Sequence, residues 1–165
     1  IEYASVVVAD TCALMNHPEL ISWFDDGKAM LIIPQTVLCE LDAKKISKDE
    51  EEAFQARMAI RKIDNYRSYK WLNLSEVSDP SLLNRDLNPD NSDNRILSVA
   101  LRYIVKSPIL LTDDINFRNI ANAQPGISAM DPNAYEMRKK YETENAAKQQ
   151  GKQSKKGKKQ GRKKK

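Results

Sequence analysis

Short apolar runs without alternation recur along the chain, and each breaks at a residue that ends regular structure. Val6, Val7, Val8 and Ala9 stop at Asp10; Met30, Leu31, Ile32 and Ile33 stop at Pro34; Ile109, Leu110, Leu111 and Thr112 stop at Asp113 and Asp114. An unbroken apolar run of this length predicts a strand buried on both faces, because a strand with one wet face would alternate. Residues 71–74 and 127–130 are weaker strand candidates. Between these runs the apolar spacing becomes helical. Val37, Leu38 and Leu41 predict a helix over 35–45, and Ala56, Ile60, Ile63 and Tyr66 one over 49–69. Ile96, Leu97, Ala100, Leu101 and Ile104 form the strongest stripe, over 93–106, and further helices are predicted over 13–23, 116–123 and 133–141.

Apolar strands alternating with helices predict an α/β sandwich with a central, mostly parallel sheet of four to five strands and helices on both faces. Residues 75–92 are polar, with Pro80, Pro89 and several Asn and Asp, and read as a long loop. Residues 148–165 contain no apolar residue and read as a disordered, Lys-rich basic tail after a domain spanning 1–147. Charge divides at the same place. The whole chain of 165 residues carries +4, but ten of its 27 Lys and Arg lie in 148–165 with no acid, leaving 17 against 23 acids in the body, a net of −6.

Counting removes several chemistries. Only Gly27 and Gly126 of the five glycines precede the tail, so neither a P-loop nor a dinucleotide fingerprint can be written. His17 is the single histidine, which excludes multi-histidine zinc sites. Cys12 and Cys39 form neither a CxxC motif nor a disulfide framework, in keeping with a reducing, intracellular setting, cytoplasmic or nuclear. No apolar run approaches a membrane span, and a membrane is not among the expected partners.

Acids end the strands. In open parallel sheets ligands sit beyond the carboxyl ends of the strands, and Asp10 and the Asp113–Asp114 pair fall there. A single Asp in such a place is most often a helix N-cap, but two strands delivering acids to one edge ask for more than capping. Asp93 lies three residues before Ile96 and four before Leu97, in line with the buried stripe, and Glu40 stands between Leu38 and Leu41. Acids gathered at one sheet edge repel one another unless neutralised, and a hard cation such as Mg2+ or Mn2+ takes oxygen ligands. One or two such ions would serve phosphodiester hydrolysis without histidine or a thiol nucleophile.

Four blocks carry a resemblance: VVADTCAL at 7–14, IPQTVLCELD at 33–42, SDNRIL at 92–97 and LLTDDINFR at 110–118. Together, in this order, they resemble the PIN-domain nucleases, in the branch that includes the PhoH-associated PIN domains and the endonuclease of nonsense-mediated mRNA decay. The resemblance spans about 6–130 and implies a three-layer α/β/α fold and a metal-dependent endoribonuclease. Carried over residue by residue, it assigns the acidic quartet to Asp10, Glu40, Asp93 and Asp114 as catalytic metal ligands, with Asp113 as an outer ligand and the order within the Asp113–Asp114 pair left open. It matches Thr11 to the hydroxyl residue supporting the metal, while Cys12 departs from the small polar residue the family often has there.

The remaining cations are candidates for contact with nucleic acid: Arg57 and Arg61 on one helix, Arg95 and Arg118 beside the site acids, and Lys155, Lys156, Lys158, Lys159, Arg162 and Lys163 in the tail. A solvated, salt-bridged surface is the competing reading for Arg57 and Arg61. The expected partner is single-stranded RNA, with DNA as an alternative substrate for a structure-specific nuclease. A non-catalytic RNA- or ribosome-binding module is the alternative from outside the enzymes.

Overall fold

The computed structural model describes residues 2–163, with side chains described through Lys155. It divides into two units, Ile1–Pro132 and Asn133–Lys165. In the first, five strands, β1 (Ser5–Ala9), β2 (Ala29–Ile32), β3 (Leu72–Asn73), β4 (Ile109–Leu111) and β5 (Ser128–Met130), form one sheet in the order β3-β2-β1-β4-β5. All four pairings are parallel. The helices are α1 (Thr11–Asn16), α2 (Gln35–Lys44), α3 (Glu50–Tyr66), α4 (Ser92–Arg102) and α5 (Ile115–Asn122). The result is the three-layer α/β/α sandwich expected from the sequence.

The order explains the apolar runs. β1 lies between β2 and β4 and is covered by helices, so Val7, Val8 and Ala9 have no exposed surface, and neither do Leu31, Ile32, Leu110 and Leu111. Full burial of each Val, Leu or Ile contributes about 1.5–3 kcal/mol before entropy is counted. The strand order reverses between β1 and β4, and at that switch point the carboxyl ends of both open into a crevice. Asp10 N–H donates to Leu111 C=O at 3.1 Å, so pairing continues one residue beyond β1.

Three elements differ from expectation for local reasons. The helix predicted over 13–23 is broken: α1 ends at Asn16 and a 3-10 helix runs Pro18–Phe24. Pro18 drives the residue before it out of the helical region, and His17 has φ −136° and ψ 64°. α4 ends at Arg102 rather than Lys106, followed by a 3-10 turn, Ile104–Lys106, and a left-handed Ser107 at φ 48°. On α3 the buried stripe is Ala53, Ala56, Ala59 and Ile63, with Ile60 and Tyr66 half-buried; the alanines lie on the face turned inward.

The 75–92 segment carries one short 3-10 turn, Pro80–Leu82, and is otherwise a loop tied to the core. Ser98 Oγ accepts from Asp79 N–H, Asn94 Nδ2 donates to Asn88 C=O, and Glu76 receives Arg102, Tyr103 and Asn73 side chains. The second unit is α6, Pro132–Lys163. The helix expected to end at 141 thus runs on, and the segment read as disordered from Lys148 is helical through Lys163. Lys, Gln and Ala favour helix without any apolar face, and Glu136–Lys140 and Arg138–Glu142 pair one turn apart.

Candidate metal centre

A cleft of about 470 Å³ opens at the switch point, and Asp10, Glu40, Asp93 and Asp114 all line it. Each arrives from a different element. Asp10 ends β1 and caps α1, its Oδ1 accepting from Ala13 N–H at 2.9 Å. Asp114 follows β4 and caps α5 in the same way, through Phe117 N–H at 3.0 Å. Asp93 stands in the first turn of α4, whose cap is Asn91. Glu40 is on α2, and its Oε1 accepts from Ser92 Oγ at 2.6 Å. Capping and gathering therefore coexist: the cap bonds fix where two of the carboxylates point.

Burial dominates the electrostatics. Asp10 is 2% exposed, and burial pushes its pKa up to about 6 against the pull of hydrogen bonds from Thr112, Ala13 N–H and Cys12, with the Asp93 charge adding to the rise. Burial also raises Asp93, aided by the charges of Asp114 and Glu40. The Cys12 thiol lies 3.2 Å from both Asp10 oxygens, and burial followed by the Asp10 charge lifts it to about 11. At neutral pH it is a protonated donor to Asp10.

Asp113 turns elsewhere. Its Oδ2 accepts from Asn16 Nδ2 at 2.9 Å and lies 3.5 Å from His17 Nε2, and it does not line the cleft. Of the pair, Asp114 is the one that faces the cavity. Arg95 and Arg118 do not line it either: Arg95 Nε donates to Pro89 C=O and its guanidinium meets Asp90, while Arg118 donates to Thr112 C=O. Arg57 and Arg61 are exposed on α3, with Arg57 donating to Lys45 C=O. Lys155 is exposed on α6; the side chains of Lys156, Lys158, Lys159, Arg162 and Lys163 lie outside the described residues.

The cleft has a wall that sequence reasoning missed. Glu51, Glu52 and Gln55 from α3, Asp49 before it, and Lys44 from α2 also line it, as do Met15 and Asn16 of α1. Lys44 Nζ pairs with Glu52 at 2.8 Å. The spacing of Glu40 and Lys44, one turn apart on α2, was the available signal for the lysine. The acids of the Glu50–Glu52 run are explained by the α3 dipole alone until α2 and α3 are packed together.

The donors suit a hard divalent cation. All four acids offer oxygen, none forms an ion pair among the described residues, and Thr11, another lining residue, has its Oγ1 buried without a hydrogen-bond partner. As they stand, no three His, Cys, Asp or Glu side chains among the described residues are close enough to hold an ion directly. The acids surround the cleft without closing on one point, an arrangement that suits an ion held partly through water.

Residues 7–133 match the model of the PIN domain family. The chain belongs to the PIN-domain family. PIN domains are generally metal-dependent nucleases that use Mg2+ or Mn2+. Among solved structures, a domain of a functionally unknown protein from Methanocaldococcus jannaschii DSM 2661 is 24% identical with a TM-score of 0.55, the match covering 77% of this chain and 90% of that one. The PIN domain of human SMG5 is 19% identical with a TM-score of 0.56, covering 79% and 96%. VapBC2 from Rickettsia felis, bound to a promoter DNA fragment, is 20% identical with a TM-score of 0.47, covering 76% and 98%. At these identities the first two likenesses concern the fold. No curated protein matches this PIN domain. None of its described helices is long and apolar enough to cross a membrane.

Proposed function

We propose that this PIN domain is an endoribonuclease that hydrolyses phosphodiester bonds of single-stranded RNA, with Asp10, Glu40, Asp93 and Asp114 holding one or two Mg2+ or Mn2+ ions. The observation that carries the reading is the gathering of these acids, from the end of β1, from α2 and α4 and from the cap of α5, around one cleft with no ion pair of their own among the described residues. When bound, the ion would offset phosphate charge and make a water more acidic. The chain's own residues do the positioning. Ala13 N–H and the Cys12 thiol fix the Asp10 carboxylate, Ser92 fixes Glu40, and Phe117 N–H fixes Asp114. Thr11, which lines the same cleft, has its Oγ1 buried without a hydrogen-bond partner. The choice of RNA rests on the resemblance of the four sequence blocks to the RNA-cutting branch of the family. The ten cations of 148–165 would draw a polyanion toward an otherwise acidic body through counterion release.

Labelled single-stranded RNA and DNA incubated with Mn2+ or Mg2+, beside EDTA and an Asp10→Asn variant, test the proposal. Metal-dependent cutting of RNA that Asp10→Asn abolishes supports it. RNA left intact with every metal, or cut equally well by Asp10→Asn, sinks it.

A further inference from the structure

Beside the acidic cleft lies a second, smaller one of about 170 Å³ that shares Asp93 and Asp114 with it. Its remaining lining is of a different kind. Phe117, 2% exposed, and Ile120 give an apolar floor from α5, and Asn91, Asn94 and Asn116 bring carboxamides from the α4 and α5 N-terminal turns. No cation lines it, so it is not built for phosphate.

The amides are unequally committed. Asn91 Oδ1 accepts from Asn94 N–H as the α4 cap. Asn94 is 7% exposed, and its Nδ2 donates to Asn88 C=O at 2.9 Å. That bond fixes which end of the amide is which and leaves Oδ1 without a donor among the described residues. Asn116 makes no side-chain hydrogen bond among the described residues and is exposed. Thr11 Oγ1 is the one buried polar side-chain atom without a partner among the described residues, so Asn94 Oδ1 still reaches solvent from a residue that is 7% exposed and lines this cleft, and an incoming N–H can take the place of its water.

We infer that the small cleft seats the nucleobase next to the phosphodiester held at the acids, with Asn94 Oδ1 accepting from the base's exocyclic amino group. The inference rests on the proposed nuclease reading and adds a specificity to it. A flat heterocycle against Phe117 and Ile120 suits an apolar floor with a polar rim, since single-stranded RNA is read through splayed bases. An acceptor facing the base favours adenine, cytosine or guanine, which carry an amino group, over uracil, which carries none. Cytosine against uracil is the sharpest comparison, because the two match in size. One hydrogen bond corresponds to about threefold to tenfold in affinity.

The test uses the whole chain, labelled with 15N, titrated separately with cytidine and uridine 5′-monophosphate in Mg2+. Neither nucleotide has a bond to cut, so the result is independent of catalysis. The expected result is saturable shifts at the Phe117 amide and the Asn94 and Asn116 side-chain amides, with cytidine monophosphate binding at least about threefold tighter. Asn94→Ala should erase that difference, and Ile120→Trp, which fills the floor, should remove the shifts for both. Shifts centred elsewhere, equal affinities in the parent, or discrimination that survives Asn94→Ala would overturn the inference. If Asn94→Ala fails to fold, as its own spectrum would reveal, unchanged binding in Ile120→Trp would overturn it alone. Base-selective binding without any RNA cleavage would sink the nuclease reading and leave this site standing.

Discussion

Ser92 Oγ donates to Glu40 Oε1 at 2.6 Å, a bond across 52 positions of sequence that joins α2 to the first turn of α4, one residue from Asp93. The hydroxyl thereby ties the Glu40 carboxylate to the turn that carries Asp93. Ser92→Ala frees Glu40 to rotate, and a lost hydrogen bond to a charged acceptor is worth about 1.5–3 kcal/mol where it is buried, less here because the pair is only part-buried. The expected outcome is weaker Mn2+ binding, by about fivefold to thirtyfold in calorimetric titration, with a urea midpoint that hardly moves. Parent-like Mn2+ affinity would show that Glu40 does not need this partner.

Asp10 gives a pH dependence whose sign is unusual for a carboxylate. Its folded pKa, about 6, lies above its ordinary 3.8, so the folded state binds the proton more tightly than the unfolded one. In metal-free protein this group's contribution is greatest below about pH 4, declines as pH rises through 4 to 6, and is flat above. The ionised group costs about 2–3 kcal/mol at pH 7. Asp10→Asn keeps an N-cap acceptor, so it should raise the metal-free melting temperature at pH 7 and flatten the pH 4–6 slope. Divalent ion at a hundred times its dissociation constant should stabilise the parent by about 2.7 kcal/mol and Asp10→Asn by much less. A melting temperature lowered by Asp10→Asn at pH 7 in EDTA would contradict this account.

The parts of the site legible in the sequence are those that local rules create. Strands buried on both faces write themselves as unbroken apolar runs, so the ends of β1 and β4, and Asp10 and the Asp113–Asp114 pair with them, could be placed from the residues alone. The choice between Asp113 and Asp114 could not, because it depends on which carboxylate caps α5 and which meets Asn16, a residue 97 positions away. Arg95 and Arg118 sit beside site acids in sequence yet bind backbone carbonyls in the fold. The α3 wall of the cleft appears only when α2 and α3 pack. The helix beyond 141 left no apolar signal, since helix propensity without burial has no periodicity to read.

Glu76 pins the 75–92 loop to the end of α4. Its carboxylate receives the Tyr103 hydroxyl and, at 2.5 Å, Arg102 Nη1, while its backbone carbonyl accepts from Gln35 N–H at the start of α2. Burial, with Glu76 adding to it, pushes the Tyr103 hydroxyl up to about 12, so it remains a donor throughout the working range. Tyr103→Phe should cost about 1–2 kcal/mol in urea unfolding. It should leave Mn2+ affinity unchanged, because neither residue lines the cleft. A loss of metal binding equal to that of Ser92→Ala would mean that the loop, not the hydroxyl at 92, sets the acids.

The C-terminal cations make a separate prediction about binding and about α6. Lys148, Lys152, Lys155, Lys158 and Lys159 each have a basic residue four positions on, at 152, 156, 159, 162 and 163, so a helix there stacks like charges on one side. Such pairs oppose helix by about 0.2–0.5 kcal/mol each at low salt, and a polyanion lying along them reverses the sign. Helical circular dichroism should therefore rise when single-stranded RNA is added at low salt, and rise less in a chain ending at 147. The same truncation should weaken RNA binding and flatten the plot of log affinity against log salt by about 0.7 for each cation that had engaged a phosphate. The site acids all lie within 10–114, so Mn2+ affinity should survive the truncation. If the salt slope is the same with and without residues 148–165, the tail does not touch the nucleic acid, and the acidic body must bind its substrate through the ion alone.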